Sequence, residues 1–265
     1  MDTGEFGRKV FFLYPHSVFE EHLLMDLIKS EFEVYLIKDH QKFFRILNNH
    51  PSSLLFINID DGLKEPEWEK VIKEIQGDQS TQGVGLGILT YNDNKELAQK
   101  YLMEFGLACG FITLKLGLEQ SKNILMKTLE ANEARGRRKY IRVICPPGTA
   151  EFNVKISGDL YSGTIVNISS VGMAIKFSNA KDLREGSRIP DIQLMLKGMR
   201  LMVTGIVVLK RPMEGGGEVL VMMFDPMGLG MVKEKIYTYI LRTLQGEAEK
   251  MLSGAPSTLA LARES

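Results

Sequence analysis

Cysteine is scarce in this sequence, because Cys109 and Cys145 are the only two among 265 residues. Two cysteines are too few for a disulfide framework or for a cysteine-based metal site. An excess of charge of one sign is also lacking, since 33 basic side chains balance 33 acidic ones. A neutral chain has no overall attraction to nucleic acid or to an anionic membrane. The composition therefore argues against a small scaffold stabilised by disulfides, and against a protein that binds nucleic acid or membranes through its net charge.

Long apolar runs are missing too. No stretch approaches the roughly 20 apolar residues that a membrane-spanning helix needs. The first eight residues are acidic and lack the apolar core of a signal peptide, so we expect a cytoplasmic protein. The apolar fraction of 44% and the charged fraction of 25% are typical of a folded globular protein. The length allows two domains, each with its own core.

No catalytic pattern is found. The glycine-rich stretch at 215–217 lacks the lysine of a P-loop, and the one at 228–230 lacks the context of a dinucleotide fold. The histidines have neither zinc-ligand spacing nor a Ser/His/Asp arrangement, and they are scattered over the first half: His16, His22, His40 and His50. We therefore predict a protein that is not an enzyme and that has no metal and no cofactor.

Residues 1–134 alternate between apolar strands and amphipathic helices. A long helix from about Leu118 to Ala134 ends this half. Five strand–helix units in about 130 residues predict a parallel sheet covered by helices on both faces. The predicted strands lie at 9–14, 33–37, 53–60, 85–90 and 110–114.

This half resembles the response-regulator receiver domain. Asp60, Thr90 and Lys115 occupy its phospho-acceptor, switch and lysine positions. A receiver carries an acidic pair after its first strand to hold Mg²⁺, whereas this chain has Tyr-Pro-His-Ser at 14–17. Phosphoryl transfer to a carboxylate needs a divalent ion to neutralise developing charge. We therefore expect a degenerate receiver-like domain that is not phosphorylated and that serves protein contacts.

A basic segment, Arg135-Gly-Arg-Arg-Lys-Tyr-Ile-Arg142, joins the two halves. It holds five cationic side chains in eight residues and no acid. A local cationic cluster on a neutral chain points to a discrete anion as ligand. Guanidinium groups present a planar fork of donors that matches phosphate oxygens, or the O6 and N7 atoms of guanine.

Residues 135–252 read mostly as short strands separated by turn signals, followed by a helix. This pattern predicts a closed antiparallel barrel, which removes exposed strand edges. The small and polar residues 253–265 predict a loose tail. The apolar stripe of the C-terminal helix consists of Val232, Ile236, Tyr239, Ile240 and Leu244.

Two short motifs in this half lie about 25 residues apart, with two strands between them. Arg138 and Arg142 form RxxxR, and Asn167, Ser169 and Gly172 form NxSxxG. Together they resemble the PilZ domain, a binding module for cyclic di-GMP, over roughly residues 135–250. The resemblance implies that the arginines grip phosphate and guanine, while the Asn-Ser loop holds the other guanine or its ribose. Gly172 would let the backbone approach closely or turn sharply. The family often has Asp where this chain has Asn167.

Arg137 directly precedes the first motif, and Arg135 lies close to it. This extra guanidinium suggests a hypothesis in which a second, stacked nucleotide binds, which gives two ligands per chain.

These resemblances imply a bacterial, cytoplasmic receptor that changes its domain arrangement on binding cyclic di-GMP. The signal would pass to a protein partner, for example in motility, with no nucleic acid bound and no insertion into a membrane. Three alternatives stay open. They are a phosphorylatable response regulator with a nucleotide-sensing output, a nucleic-acid binder that uses the basic segment, and a barrel that binds no ligand and acts only as an adaptor.

Overall fold

The computed structural model describes residues 7–136, 138–178, 183–212 and 218–254, which fall into two compact units. Within these ranges, the residues up to Lys139 and those from Leu244 onward form the first unit, and Tyr140–Thr243 form the second. Arg137, the glycines at 215–217 and the predicted tail beyond Gly254 lie outside the described residues.

The first unit is built on a five-stranded parallel sheet with the order β2-β1-β3-β4-β5. This is the doubly wound, flavodoxin-like order, and it confirms the predicted receiver-like α/β domain. The strands are β1 (Val10–Leu13), β2 (Val34–Ile37), β3 (Leu54–Ile57), β4 (Gly85–Thr90) and β5 (Phe111–Thr113). The helices are α1 (Leu24–Lys29, preceded by a π-helical turn, Phe19–Leu23), α2 (Phe43–Asn49), α3 (Glu65–Gly77), α4 (Lys95–Met103) and α5 (Leu118–Ala131).

Continuous apolar runs form the central strands of this sheet. Every residue of β1, β3 and β4 is buried, as expected for a parallel sheet that is covered on both faces. Phe12 packs against Phe56 on the next strand and against Phe19 on the helical side, with ring centroids 5.2 and 4.2 Å apart. Aromatic packing of this kind fixes the distance between the sheet and its helices.

The strand β2 pairs with β1 on one side, and a side chain forms hydrogen bonds with its other, outer edge. The Leu36 N–H donates to Gln245 Oε1 at 2.9 Å, and Gln245 Nε2 donates to the Val34 carbonyl at 3.1 Å. Gln245 lies in the last helix, α6 (Gly230–Ser253). These hydrogen bonds satisfy backbone groups at an otherwise open sheet edge. They explain why the helix from Leu244 onward belongs to the first unit, whereas the sequence pattern predicts a barrel domain that extends to residue 252.

A largely buried polar cluster lies at the start of β1 and β2. The Lys9 ammonium pairs with the Glu33 carboxylate and lies 2.8 Å from the Tyr35 hydroxyl. The His50 ring packs near Phe11, with centroids 6.0 Å apart. Burial, reinforced by the positive charge of Lys9, lowers the pKa of His50 from 6.5 to about 4.

The neutral His50 predicts that the first unit loses stability as the pH falls from 6.5 towards 4. In that window the unfolded chain takes up a proton at residue 50 that the folded unit resists. Solvent screening of the half-buried ring leaves roughly 1–2 kcal/mol of this effect. Thermal denaturation at pH 7 and pH 4.5 should show a smaller loss for His50→Gln than for wild type. His22→Gln, at an exposed imidazole, is the control. An unchanged pH dependence in His50→Gln would contradict the prediction.

The second unit is a closed antiparallel barrel of six strands. They follow the order β8-β7-β10-β11-β12-β9, and β9 pairs back onto β8, while β6 adds to β8. This confirms the predicted barrel. The strands are β6 (Arg142–Ile144), β7 (Ala150–Ile156), β8 (Asp159–Ser169), β9 (Gly172–Phe177), β10 (Arg188–Leu196), β11 (Met199–Pro212) and β12 (Glu218–Phe224).

The first half of α6 packs its apolar stripe within this second unit. Ile236, Tyr239 and Ile240 are buried, and the Tyr239 hydroxyl lies 3.2 Å from Thr149 Oγ1. Burial raises the pKa of the neighbouring Cys145 thiol to about 12, so this cysteine is not nucleophilic near neutral pH. None of the helices in the described part of the chain has the length and apolar character needed to cross a membrane.

Candidate binding site

Two sequence motifs meet where β6 pairs with β8. Arg142 lies directly opposite Ser169, and Asn167 lies two residues earlier on β8. Opposite residues of an antiparallel pair project from the same face of the sheet. Val143 and Ile168, which alternate with them, are buried. Arg142, Asn167 and Ser169 therefore share the outer face of the barrel.

The turn from β8 to β9 carries the end of the second motif. Ser169 pairs with Gly172, and the Ser169 hydroxyl donates to the Gly172 carbonyl at 3.2 Å. Gly172 does not have a positive φ, so the turn itself does not require glycine. A Cβ at this position would lie 2.3 Å from the Met222 carbonyl oxygen of β12. Glycine is needed because β9 and β12 approach closely here.

Arg138 is exposed and lies in the irregular segment before β6. The boundary between the two units falls between Lys139 and Tyr140, inside the first motif. Arg137 is outside the described residues, so its part in ligand binding stays a prediction. Arg135 is engaged in the first unit, where its guanidinium lies 4.7 Å from the Phe32 ring centroid and 3.4 Å from the Glu130 carboxylate.

In the first unit, Asp60 is enclosed by hydrogen bonds at the carboxyl edge of the sheet. The Thr90 hydroxyl donates to Oδ1 at 2.5 Å, and the Tyr91 N–H donates to Oδ2 at 2.7 Å. His16 Nε2 lies 2.9 Å from the same Oδ2. Burial would raise the pKa of Asp60, but these hydrogen bonds outweigh it and lower the pKa.

Lys115, at the third receiver position, pairs with Asp93 at 2.7 Å. Across the described ranges, no three His, Cys, Asp or Glu side chains are grouped so that they could hold a metal ion. His16 stands where a receiver carries an acidic residue, and it contacts Asp60 directly. Both oxygens of the candidate acceptor therefore already have partners from this chain.

We predict that Asp60 is not phosphorylated by acetyl phosphate in the presence of Mg²⁺. A nucleophilic carboxylate needs a divalent ion beside it, and the His16 imidazole contacts Asp60 instead. Intact-protein mass spectrometry should show no added phosphoryl group on wild type or on Asp60→Asn. An active receiver that is treated in parallel serves as the positive control. Stoichiometric labelling that disappears in Asp60→Asn would overturn this prediction and revive the response-regulator alternative.

The sequence profile of the PilZ domain family matches residues 136–242 of this chain. The match contains both motifs and all of the strands β6–β12. Residues 136–242 form a PilZ domain.

Solved structures with PilZ domains resemble this chain at low sequence identity. The PilZ domain of YcgR from Escherichia coli with c-di-GMP is 20% identical, with a TM-score of 0.37, and the match covers 44% of this chain and 98% of that one. YcgR from Escherichia coli in complex with c-di-GMP is 19% identical, with a TM-score of 0.38, and the match covers 45% of this chain and 51% of that one. The match therefore spans about half of the YcgR chain in that complex.

The manganese-bound response regulator Rcp1 is 16% identical to this chain, with a TM-score of 0.36. The match covers 46% of this chain and 92% of Rcp1. No curated protein sequence matches the chain.

The PilZ barrel also places beside the motifs two residues that belong to neither of them. Met223 of β12 lies opposite Gly172, and Val221 lies opposite Ala174. The signal for them is weak in the sequence, because β12 follows β9 by about 40 residues and the two strands meet only when the barrel closes.

Proposed function

We propose that this protein is a receptor for cyclic di-GMP, which it binds on the outer face of the PilZ barrel. Arg138, Arg142, Asn167 and Ser169 would make the polar contacts. The direct opposition of Arg142 and Ser169 carries the proposal. It sets the second arginine of one motif against the second motif, although the two residues lie 27 positions apart in the chain.

The chemistry of the ligand matches these groups. Each guanine presents O6 and N7 as acceptors, which a guanidinium can bind in bidentate fashion, and each phosphate presents charged oxygens to the same fork. The Ser169 hydroxyl and the Asn167 amide can donate as well as accept. Asn167 retains the shape of the aspartate that is frequent at this position, and it places no negative charge near the phosphates.

Ligand binding would then order the basic segment, residues 135–142. Because the boundary between the two units lies within that segment, binding is expected to change their arrangement and so to reach a protein partner, such as a component of the motility apparatus. Small-angle scattering with and without ligand would reveal such a change. Identical scattering curves at saturation would contradict this route of transmission.

Calorimetric titration of the full chain tests the proposal. Cyclic di-GMP should give saturable heat, whereas GTP should give none. Cyclic di-AMP should bind more weakly, because adenine presents an N6 donor where guanine presents the O6 acceptor.

The same titration also decides between the remaining alternatives. A stoichiometry of two ligands per chain would support a second nucleotide at Arg137, and a value near one would reject it. Absence of heat with cyclic di-GMP would leave a non-binding adaptor. Steeply salt-dependent binding of generic DNA or RNA would favour the nucleic-acid alternative.

A further inference from the structure

We infer that Met223 forms an apolar wall of the binding surface and contacts a guanine base of the bound dinucleotide. This inference rests on the proposed function. It adds to the candidate site a residue that belongs to neither sequence motif.

A continuous row of residues runs across four neighbouring strands. Arg142 on β6 lies opposite Ser169 on β8, Ser169 lies opposite Gly172 on β9, and Gly172 lies opposite Met223 on β12. Adjacent strands are about 4.8 Å apart, so the backbone distance along the row from Arg142 to Met223 is roughly 14 Å. Paired residues project to the same side. The neighbouring row faces the interior and is buried throughout: Val143, Ile168, Met173 and Met222.

The heights of the side chains make this row a shallow trough. Arg142 and Met223, at its two ends, are exposed, and the Met223 side chain is 51% exposed. Between them Ser169 is recessed, with 4% exposure, and Gly172 has no side chain. The trough has a guanidinium at one end and a thioether at the other, with a floor of small residues that already contains the second motif.

A purine ring is a suitable occupant of this trough. It is planar, so it can lie over a floor without tall side chains, and its O6 and N7 edge can meet the guanidinium while the thioether contacts the aromatic ring. Methionine is unbranched and polarisable, and its sulfur makes favourable contacts with aromatic rings.

Met223 has no evident role in the barrel core, because the adjacent Met222 fills the interior and is 1% exposed. Beyond Met223 the row continues to Ile206 and Arg188. There the Arg188 guanidinium is engaged by Asp225, with a 2.7 Å contact. The apolar section is therefore bounded, and its open side faces the motif residues.

Met202 provides a matched control. It is also a methionine on the outer face of the barrel and is 54% exposed, but it lies opposite Gln193 in a row that contains no motif residue. Calorimetry with cyclic di-GMP should show a loss of roughly 2- to 10-fold for Met223→Ala. Met223→Glu should lose more than about 10-fold, because a carboxylate would lie against the base and would repel the negatively charged dinucleotide. Met202→Ala and Met202→Glu should bind as wild type. Equal affinities for wild type and both Met223 variants would overturn the inference.

A direct readout of contact comes from the methyl signals of the 14 methionines in protein labelled with ¹³C at the methionine methyl. Spectra of Met223→Leu and Met202→Leu would assign the two signals of interest. Saturating cyclic di-GMP should shift the Met223 signal through the ring current of the base and leave the Met202 signal in place. An unmoved Met223 signal in a protein that binds the ligand would reject only this inference. Absence of ligand binding by wild type would reject the inference together with the proposed function.

Discussion

Replacing Arg142 by alanine is expected to weaken cyclic di-GMP binding about 5- to 150-fold. The loss of one bidentate contact to a guanine costs about 1–3 kcal/mol of binding free energy. The loss of a charge-assisted hydrogen bond to a phosphate costs a comparable amount. The barrel should remain folded, because the side chain projects outward while the adjacent Val143 is buried and the backbone of β6 still pairs with β8. Calorimetric titration of the variant beside wild type measures the effect.

Two further variants separate charge from geometry. Arg142→Lys keeps the positive charge but lacks the planar fork, so it should recover only part of the affinity. Arg200→Ala removes an exposed arginine from β11 of the same barrel, and it should bind as wild type. If Arg142→Ala retained full affinity, the first motif would not contact the ligand through this residue. If Arg200→Ala lost as much as Arg142→Ala, the effect would be one of general charge.

Strands in this protein could be predicted where the chain alternates regularly or runs continuously apolar. The predicted third and fourth strands overlap β3 and β4, because buried parallel strands have a simple apolar signature. Strand ends were less accurate where the backbone departs from the extended conformation. Tyr14 has a φ of 54° and ends β1 earlier than predicted. Asp191 has a φ of 53° and lies at an irregularity inside β10.

Contacts between distant segments could not be predicted in this way. The apolar stripe of α6 is continuous, and no local pattern tells which unit each half covers. The hydrogen bonds between Gln245 and β2 form only once the fold has brought the end of α6 next to that strand. The same holds for Asp60. The sequence shows that His16 replaces an acidic residue, but only the folded loop reveals that the imidazole contacts the carboxylate.

Replacing Gly172 by alanine is expected to destabilise the barrel by about 1–3 kcal/mol, the usual cost of overpacking a close contact. The new Cβ would lie 2.3 Å from the Met222 carbonyl oxygen and 3.3 Å from its carbonyl carbon. These are backbone atoms that cannot rotate away, so β9 and β12 would have to separate. Each kcal/mol should lower the barrel transition by about 4–8 °C for a unit of this size, and thermal denaturation without ligand measures it.

Gly228→Ala is the matched control, since a Cβ there meets no atom within 4 Å, and the melting temperature of this variant should equal that of wild type.

Gly172 also lies between Ser169 and Met223 in the proposed trough, so a wider spacing between β9 and β12 should weaken ligand binding too. The unliganded melt separates the two effects, because a loss of stability without ligand cannot come from a missing ligand contact. A Gly172→Ala protein as stable as wild type, with weaker binding, would show that this motif glycine serves the ligand directly. A less stable protein would mean that the motif includes glycine because it keeps β9 against β12.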